Sequence, residues 1–229
     1  GCSFEETNRL SWDCVKQNFK NIWGNDVLVG FFNKENTGGL EGGRLRPLSL
    51  YTFAIEFEIF QSTSPGFSHF INLILYSLVC WIIFIWLKLL FQYFKQSILL
   101  VFVIVILYLV HPLHVEVVAN IKGRMELLSA LFSFLFAYQL SKGILVGNTK
   151  NIIWATLVLF LGLLSKEEAI TFLAIIPFLL IVKKETFSLK NNIPLAIILI
   201  PLLSYFLIRK MIFSNVLNQS GTQNLPDLL

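Results

Sequence analysis

The sequence predicts an all-α protein: a polytopic transmembrane helical bundle of about six spans, preceded by an N-terminal extracytoplasmic loop containing short helices. Three observations carry that reading. Of the 229 residues, 55% are hydrophobic and only 14% charged, with a mean hydropathy of +0.71. Soluble domains carry roughly 25% charged residues, so too little polar surface remains here to cover a water-soluble fold. The apolar residues fall in six successive runs, and the polar residues between them are confined to short joints.

Residues 1–50 are polar and punctuated by Gly24-Asn25, Gly38-Gly39, Gly42-Gly43 and Arg46-Pro47, all turn signals. Trp12, Trp23, Phe19, Phe31 and Phe32 mark short amphipathic pieces at an interface. Residues 48–60 read as a juxtamembrane helix, and Ser64-Pro65-Gly66 as a break. The run 67–91 spans a bilayer on length alone. The runs 97–110, 127–140, 152–164, 169–182 and 193–208 are shorter. Five such runs with tight polar joints predict spans whose ends reach polar cavities. The chain therefore divides into a loop with its juxtamembrane helix (1–66), a transmembrane domain (67–210) and the start of a following polar loop (211–229). It opens on Gly1 and closes on the polar stretch 218–229, and so reads as part of a longer protein.

Lys and Arg in alternate joints set the orientation. Lys88, Lys95, Lys142, Lys150, Lys183, Lys184 and Lys190 fall on one side, and Lys122, Arg124, Lys166, Arg209 and Lys210 on the other. The first, richer set is predicted cytoplasmic, which makes the loop and the second set extracytoplasmic. The net charge of +4 is scattered along the chain, which excludes a clustered nucleic-acid footprint. Cys80 sits in an apolar run and reads as packing, whereas Cys2 and Cys14 share the polar segment and are placed to pair in an oxidising compartment.

The densest polar constellation is HPLHVEVVANIKGRME, residues 111–126. A charge at the bilayer centre costs about 2.5–3.5 kcal/mol on insertion scales, so these groups belong at an interface or in a water-accessible cavity. In a continuous helix Glu116, Asn120 and Arg124 share one face, directing a carboxylate and a guanidinium into one cavity. The same residues also fit a polar hairpin with Arg124 and Glu126 paired locally, or a metal site with His111, His114 and Glu116 as ligands. Arg44 and Arg46 stand on a glycine turn just before the membrane, where a guanidinium fork suits a phosphate, of a ligand or of a lipid headgroup. Lys166, in the joint 165–168, fits a lipid phosphate or a snorkelling role at a hairpin tip.

Four stretches in order resemble one family. GRLRPLSL (43–50) looks like the GRYRPL segment in the first external loop of the transmembrane and tetratricopeptide-repeat O-mannosyltransferases and their bacterial relatives. FSHFINL (67–73) resembles the FHLxN opening of their next span. Residues 111–128 resemble HPxHxExVxxxxGRxELL, and LSKEEAIT (164–171) is similar to LSKExxIT. The resemblance covers roughly residues 40–185.

It implies a membrane glycosyltransferase of the polytopic GT-C kind, which takes a sugar from a polyprenyl-phosphate donor and passes it to a protein or glycan hydroxyl on the extracytoplasmic side. The implied setting is a multi-pass protein of a bacterial inner membrane or the endoplasmic reticulum, with a lipid bilayer, a lipid-linked donor and an acceptor as partners, and no nucleic acid, cofactor or metal. The family's first external loop carries an acidic pair, normally aspartates; Glu5 and Glu6 are the positional candidates here for the catalytic base. Arg44, Arg46, Arg124 and Lys166 are the expected donor-phosphate ligands. His111, His114, Glu116 and Glu126 are expected to shape the site, with Glu116 or Glu126 orienting Arg124 or touching the sugar. Arg124→Ala is expected to abolish transfer while leaving expression intact. The alternatives are a non-catalytic polytopic protein, such as a transporter or scaffold, and a metal-dependent membrane enzyme.

Overall fold

The computed structural model describes residues 45–60, 65–183 and 196–220, and every regular element among them is helical. In chain order these are α1 (Pro47–Phe60), α2 (Pro65–Tyr93), α3 (Ile98–Leu109), α4 (Leu113–Ala119), a 3-10 turn (Ile121–Gly123), α5 (Arg124–Val146), α6 (Thr149–Ser165), a 3-10 segment (Glu167–Ala174), α7 (Ile175–Lys183) and α8 (Leu199–Ser220). Residues 1–44 of the predicted N-terminal loop lie outside the described residues, and with them Glu5, Glu6, Arg44, Cys2 and Cys14.

Two described helices are long and apolar enough to cross a membrane, Pro65–Tyr93 and Ile121–Val146. Ile98–Leu109 and Leu113–Ala119 reach that measure only as a pair bent by 61°, making three spans if the pair is one broken span. The described residues are thus all helical, with two to three helices of membrane-spanning length and composition, as suits a membrane protein. Several boundaries differ from expectation: α5 (Arg124–Val146) outruns the predicted 127–140 at both ends, and α8 (Leu199–Ser220) begins and ends later than the predicted 193–208. Pro65 and Gly66 form the first turn of α2 rather than a break, in keeping with proline's fit to the start of a helix. Residues 169–182 are not one helix. Lys166 is extended (φ −161°, ψ 137°) and ends α6, and the chain restarts in the tighter 3-10 form, with the Ala169 amide bonded to the Lys166 carbonyl at 3.2 Å.

The core lies along the α5–α6 hairpin. Phe136, Leu140 and Ile144 of α5 bury against Ile152, Ala155, Leu159 and Leu163 of α6, joined by Leu45, Leu179, Leu202 and Tyr205. Gly147 closes the hairpin with a left-handed backbone (φ 80°), the usual glycine end to a helix. Asn148 then caps α6 by accepting from the Lys150 amide. Trp86 of α2 donates its indole proton to Ser141 of α5 at 3.0 Å, which satisfies two polar groups inside the apolar packing. α3, by contrast, buries only Val101 and exposes Leu99, Phe102, Ile106 and Leu107, as a lipid-facing helix does.

The bend between α3 and α4 follows from His111-Pro112, since proline disfavours a helical residue before it and supplies no amide proton. At the bend the carbonyls of Tyr108 and Leu109 accept from the Tyr76 hydroxyl at 3.2 and 2.9 Å, that of Tyr108 also from the His111 amide at 3.2 Å. α4 in turn ends at Asn120, whose side chain accepts from the Lys122 amide at 3.0 Å. This local bond competes with continued helix. Glu116, Asn120 and Arg124 therefore do not share the face of one helix: Glu116 is exposed on α4, and Arg124 starts α5 wholly buried.

Candidate active site

The start of α1, the start of α5 and the joint after α6 meet at one end of the bundle. Arg46, immediately before α1, lays its guanidinium fork on Glu167, with Nη2 3.1 Å from Oε1 and Nε 3.4 Å from Oε2. Its Nη1 lies 3.6 Å from the Met125 sulfur, a weak acceptor. Lys166 donates to Glu126 at 2.9 Å and pairs with Glu168 at 2.8 Å. The Ser49 hydroxyl donates to the Ser165 carbonyl at 3.1 Å, fixing α1 beside the joint. The extended Lys166 aims its side chain at α5, and Glu167 and Glu168 occupy the first turn of the next segment, where acids suit the helix dipole.

The electrostatics follow from half-burial. Burial alone would raise the Glu167 pKa, but the bond from Arg46, the backbone, and the charges of Arg46 and Arg209 outweigh it and hold the carboxyl below the ordinary value of 4.5. Burial likewise opposes the charged Lys166, and its bonds to Glu168 and Glu126 outweigh that, raising it above 10.5. A lowered acid stabilises the fold above its ordinary pKa and loses that contribution as pH falls through the lowered one; a raised base does so below its ordinary pKa and loses it as pH rises through the raised one. The joint is therefore strongest between the two limits. Glu167→Gln is expected to flatten the acid limb of melting temperature against pH, leaving the alkaline limb as in the parent; an unchanged acid limb would discount the pair.

Arg124 stands in a second cluster. Its side chain is 0% exposed and pairs with Glu56 of α1 at 2.5 Å. The guanidinium also donates to the Asn72 amide oxygen and the Ser68 carbonyl, each at 3.4 Å, and lies over the Phe53 ring, 4.1 Å from its centroid. Ser68 donates to Glu56, and Asn72 donates to the Asn120 carbonyl at 3.0 Å. The acid that orients Arg124 is thus Glu56, not Glu116 or Glu126: Glu126 is taken by Lys166, and the break at Asn120 turns Glu116 away.

The histidines form a third feature. His114 packs its ring against Tyr108, with centroids 4.2 Å apart, and lies 5.7 Å from His111. Both line, with His69, Tyr76 and Val118, a mainly apolar groove of about 830 Å³ beside the α3–α4 bend. Among the described residues no three of His, Cys, Asp and Glu are grouped to hold a metal ion.

Of the expected site residues, the structure gathers Arg46, Lys166 and Glu126, sets Arg124 apart in its own buried cluster, and puts His111 and His114 in the groove. Glu56, Asn72 and Glu167 are the partners that the sequence reading did not single out. Asn72 carried a signal, a lone amide inside an apolar run, whereas Glu56 was one acid among several.

Comparison with known proteins gives the same direction as the motifs. Over 137 residues the chain is 35% identical to the human protein O-mannosyl-transferase TMTC3, a match taking in 57% of this chain and 14% of that protein. The chain resembles the protein O-mannosyl-transferases. Caenorhabditis elegans protein O-mannosyl-transferase F38B6.6 is 32% identical over 154 residues, 64% of this chain and 21% of its own length. The mouse protein O-mannosyl-transferase TMTC4 is 31% identical over 175 residues, 67% of this chain and 22% of its own. The chain thus spans only 14% to 22% of the length of these curated relatives. No family model and no solved structure matches it.

Proposed function

We propose that the chain is the membrane-embedded part of a protein O-mannosyl-transferase that takes its sugar from a polyprenyl-phosphate donor and acts at the extracytoplasmic face, within a bundle of about six spans. The observation that carries this is the pairing of Arg46 and Lys166 with carboxylates at one end of the bundle, in a chain similar to enzymes named for that transfer. The acceptor hydroxyl attacks the sugar's anomeric carbon, giving its proton to a carboxylate. The bond to the phosphate oxygen breaks, and the phosphate leaves with the electron pair. Cations aimed at that oxygen stabilise the charge developing there. Arg46 and Lys166 do this by exchanging Glu167, Glu126 and Glu168 for the donor phosphate, with Arg44 approaching from the glycine turn. Glu5 or Glu6 is the base. His111, His114 and Glu116 bound the neighbouring groove.

The test is transfer of mannose from the lipid-linked donor to an acceptor peptide by the full-length protein in nanodiscs. Lys166→Ala is expected to lower kcat/KM roughly 100-fold, the scale of losing one charge-stabilising donor, with the protein still folded by its melting profile. A rate equal to the parent's would take the cluster out of the mechanism.

A further inference from the structure

The second cluster has no place in the transfer step as written, yet it sets an ion pair and its polar neighbours inside the bundle. Arg124 and Asn72 are 0% exposed, Ser68 7% and Glu56 8%. Four elements meet there: Glu56 comes from α1, Ser68 and Asn72 from α2, Asn120 from the break after α4, and Arg124 from the first turn of α5. Asn72 uses both ends of its amide, accepting from Arg124 and donating to the Asn120 carbonyl.

We infer that Arg124 is a positioning residue: it locks α1 against α2 and α5 through Glu56 and so sets where Arg46 stands. The geometry runs through one rigid helix. Glu56 lies near one end of α1, and Arg46 immediately precedes its other end. With Glu56 held, Arg46 reaches Glu167 and Ser49 reaches Ser165. The guanidinium is wholly buried among Phe53, Ser68, Asn72 and Glu56, with Nη1 making no hydrogen bond among the described residues, and burial leaves it no face open to a donor phosphate. Ionic groups in such surroundings are costly to hold, and a fixed register between elements is the best attested return for that cost. The link from Arg46 to donor binding rests on the proposed function; the lock itself does not.

The experiment measures both in the full-length protein. Hydrogen–deuterium exchange over residues 47–60 reads the seating of α1 without donor or acceptor. Glu56→Gln and Arg124→Met, each leaving the other partner buried and unmatched, are expected to speed that exchange roughly tenfold or more. The double variant, which removes both charges, is expected to recover most of the protection. Where Arg124→Met fails to accumulate, the milder Glu56→Gln and the double variant decide. Exchange over 47–60 unchanged in Glu56→Gln, or no recovery in the double variant, overturns the lock.

Donor KM then separates the two ideas. Glu56→Gln is expected to raise it in the manner of Arg46→Ala, with little further rise when the two are combined. Faster exchange with an unchanged KM would keep the lock and remove Arg46 from donor binding.

Discussion

Gly123→Ala is expected to prevent the folded protein from accumulating in the membrane. A Cβ built on Gly123 would lie 1.9 Å from the Val117 carbonyl oxygen and 2.8 Å from its carbon. Both are backbone atoms, so no side chain can swing aside to make room. Relief requires moving α4 relative to α5, and that disturbs the Asn120 carbonyl held by Asn72 and the seating of Arg124 one residue on. Overpacking at an adaptable site costs typically 1–3 kcal/mol; a clash with main chain at a helix junction belongs at or above the top of that range. Comparing the yield and melting temperature of detergent-solubilised full-length protein checks this, and a variant melting within a degree or two of the parent would mean the junction is looser than drawn.

Arg124→Ala is expected to destabilise the protein by about 3–5 kcal/mol, the usual result of removing one partner from a buried ion pair. It leaves the Glu56 carboxylate without its cation and opens a void beside Phe53 and Asn72. The motif alone leads one to expect lost transfer with expression intact; burial of the pair predicts that expression falls too. Arg124→Lys keeps the charge but not the planar fork, and is expected to melt between the parent and the alanine variant. Thermal unfolding of the three proteins orders them. An alanine variant as stable as the parent would leave the pair energetically idle.

The helical class was legible because composition and run length act on the whole chain at once. α2 and the α5–α6 hairpin are centred on the apolar runs that predict them, α5 running well past its run into residues 143–146, and α3 keeps the predicted limits within a residue at each end, with Ser97 as its cap. The breaks were less legible. A four-residue spacing puts Glu116, Asn120 and Arg124 on one face only if the helix continues, and a single side-chain bond from Asn120 to the Lys122 amide ends it. Residues 169–182 read as one apolar run, yet hydropathy does not distinguish a 3-10 turn from an α-helix. At the site, the cations and Glu126 were findable from the motifs, and the pairings between them were not. Arg46 and Glu167 are 121 positions apart in sequence, and no local pattern links positions so distant. The pairing of Lys166 with Glu126 had the same difficulty, 40 positions apart.

The carboxylates around Lys166 and Arg46 also determine how this end of the molecule responds to salt. Two cations face three acids there, and Arg209 contributes a further positive charge near Glu167, so the group is close to self-neutralised. A bare basic patch attracts any anion and loses that pull as ions screen it, over about 10 Å at 0.1 M. A self-neutralised group offers little long-range attraction to lose. An anionic partner gains its place there by exchange at contact distance, so its recognition depends on geometry far more than on ionic strength.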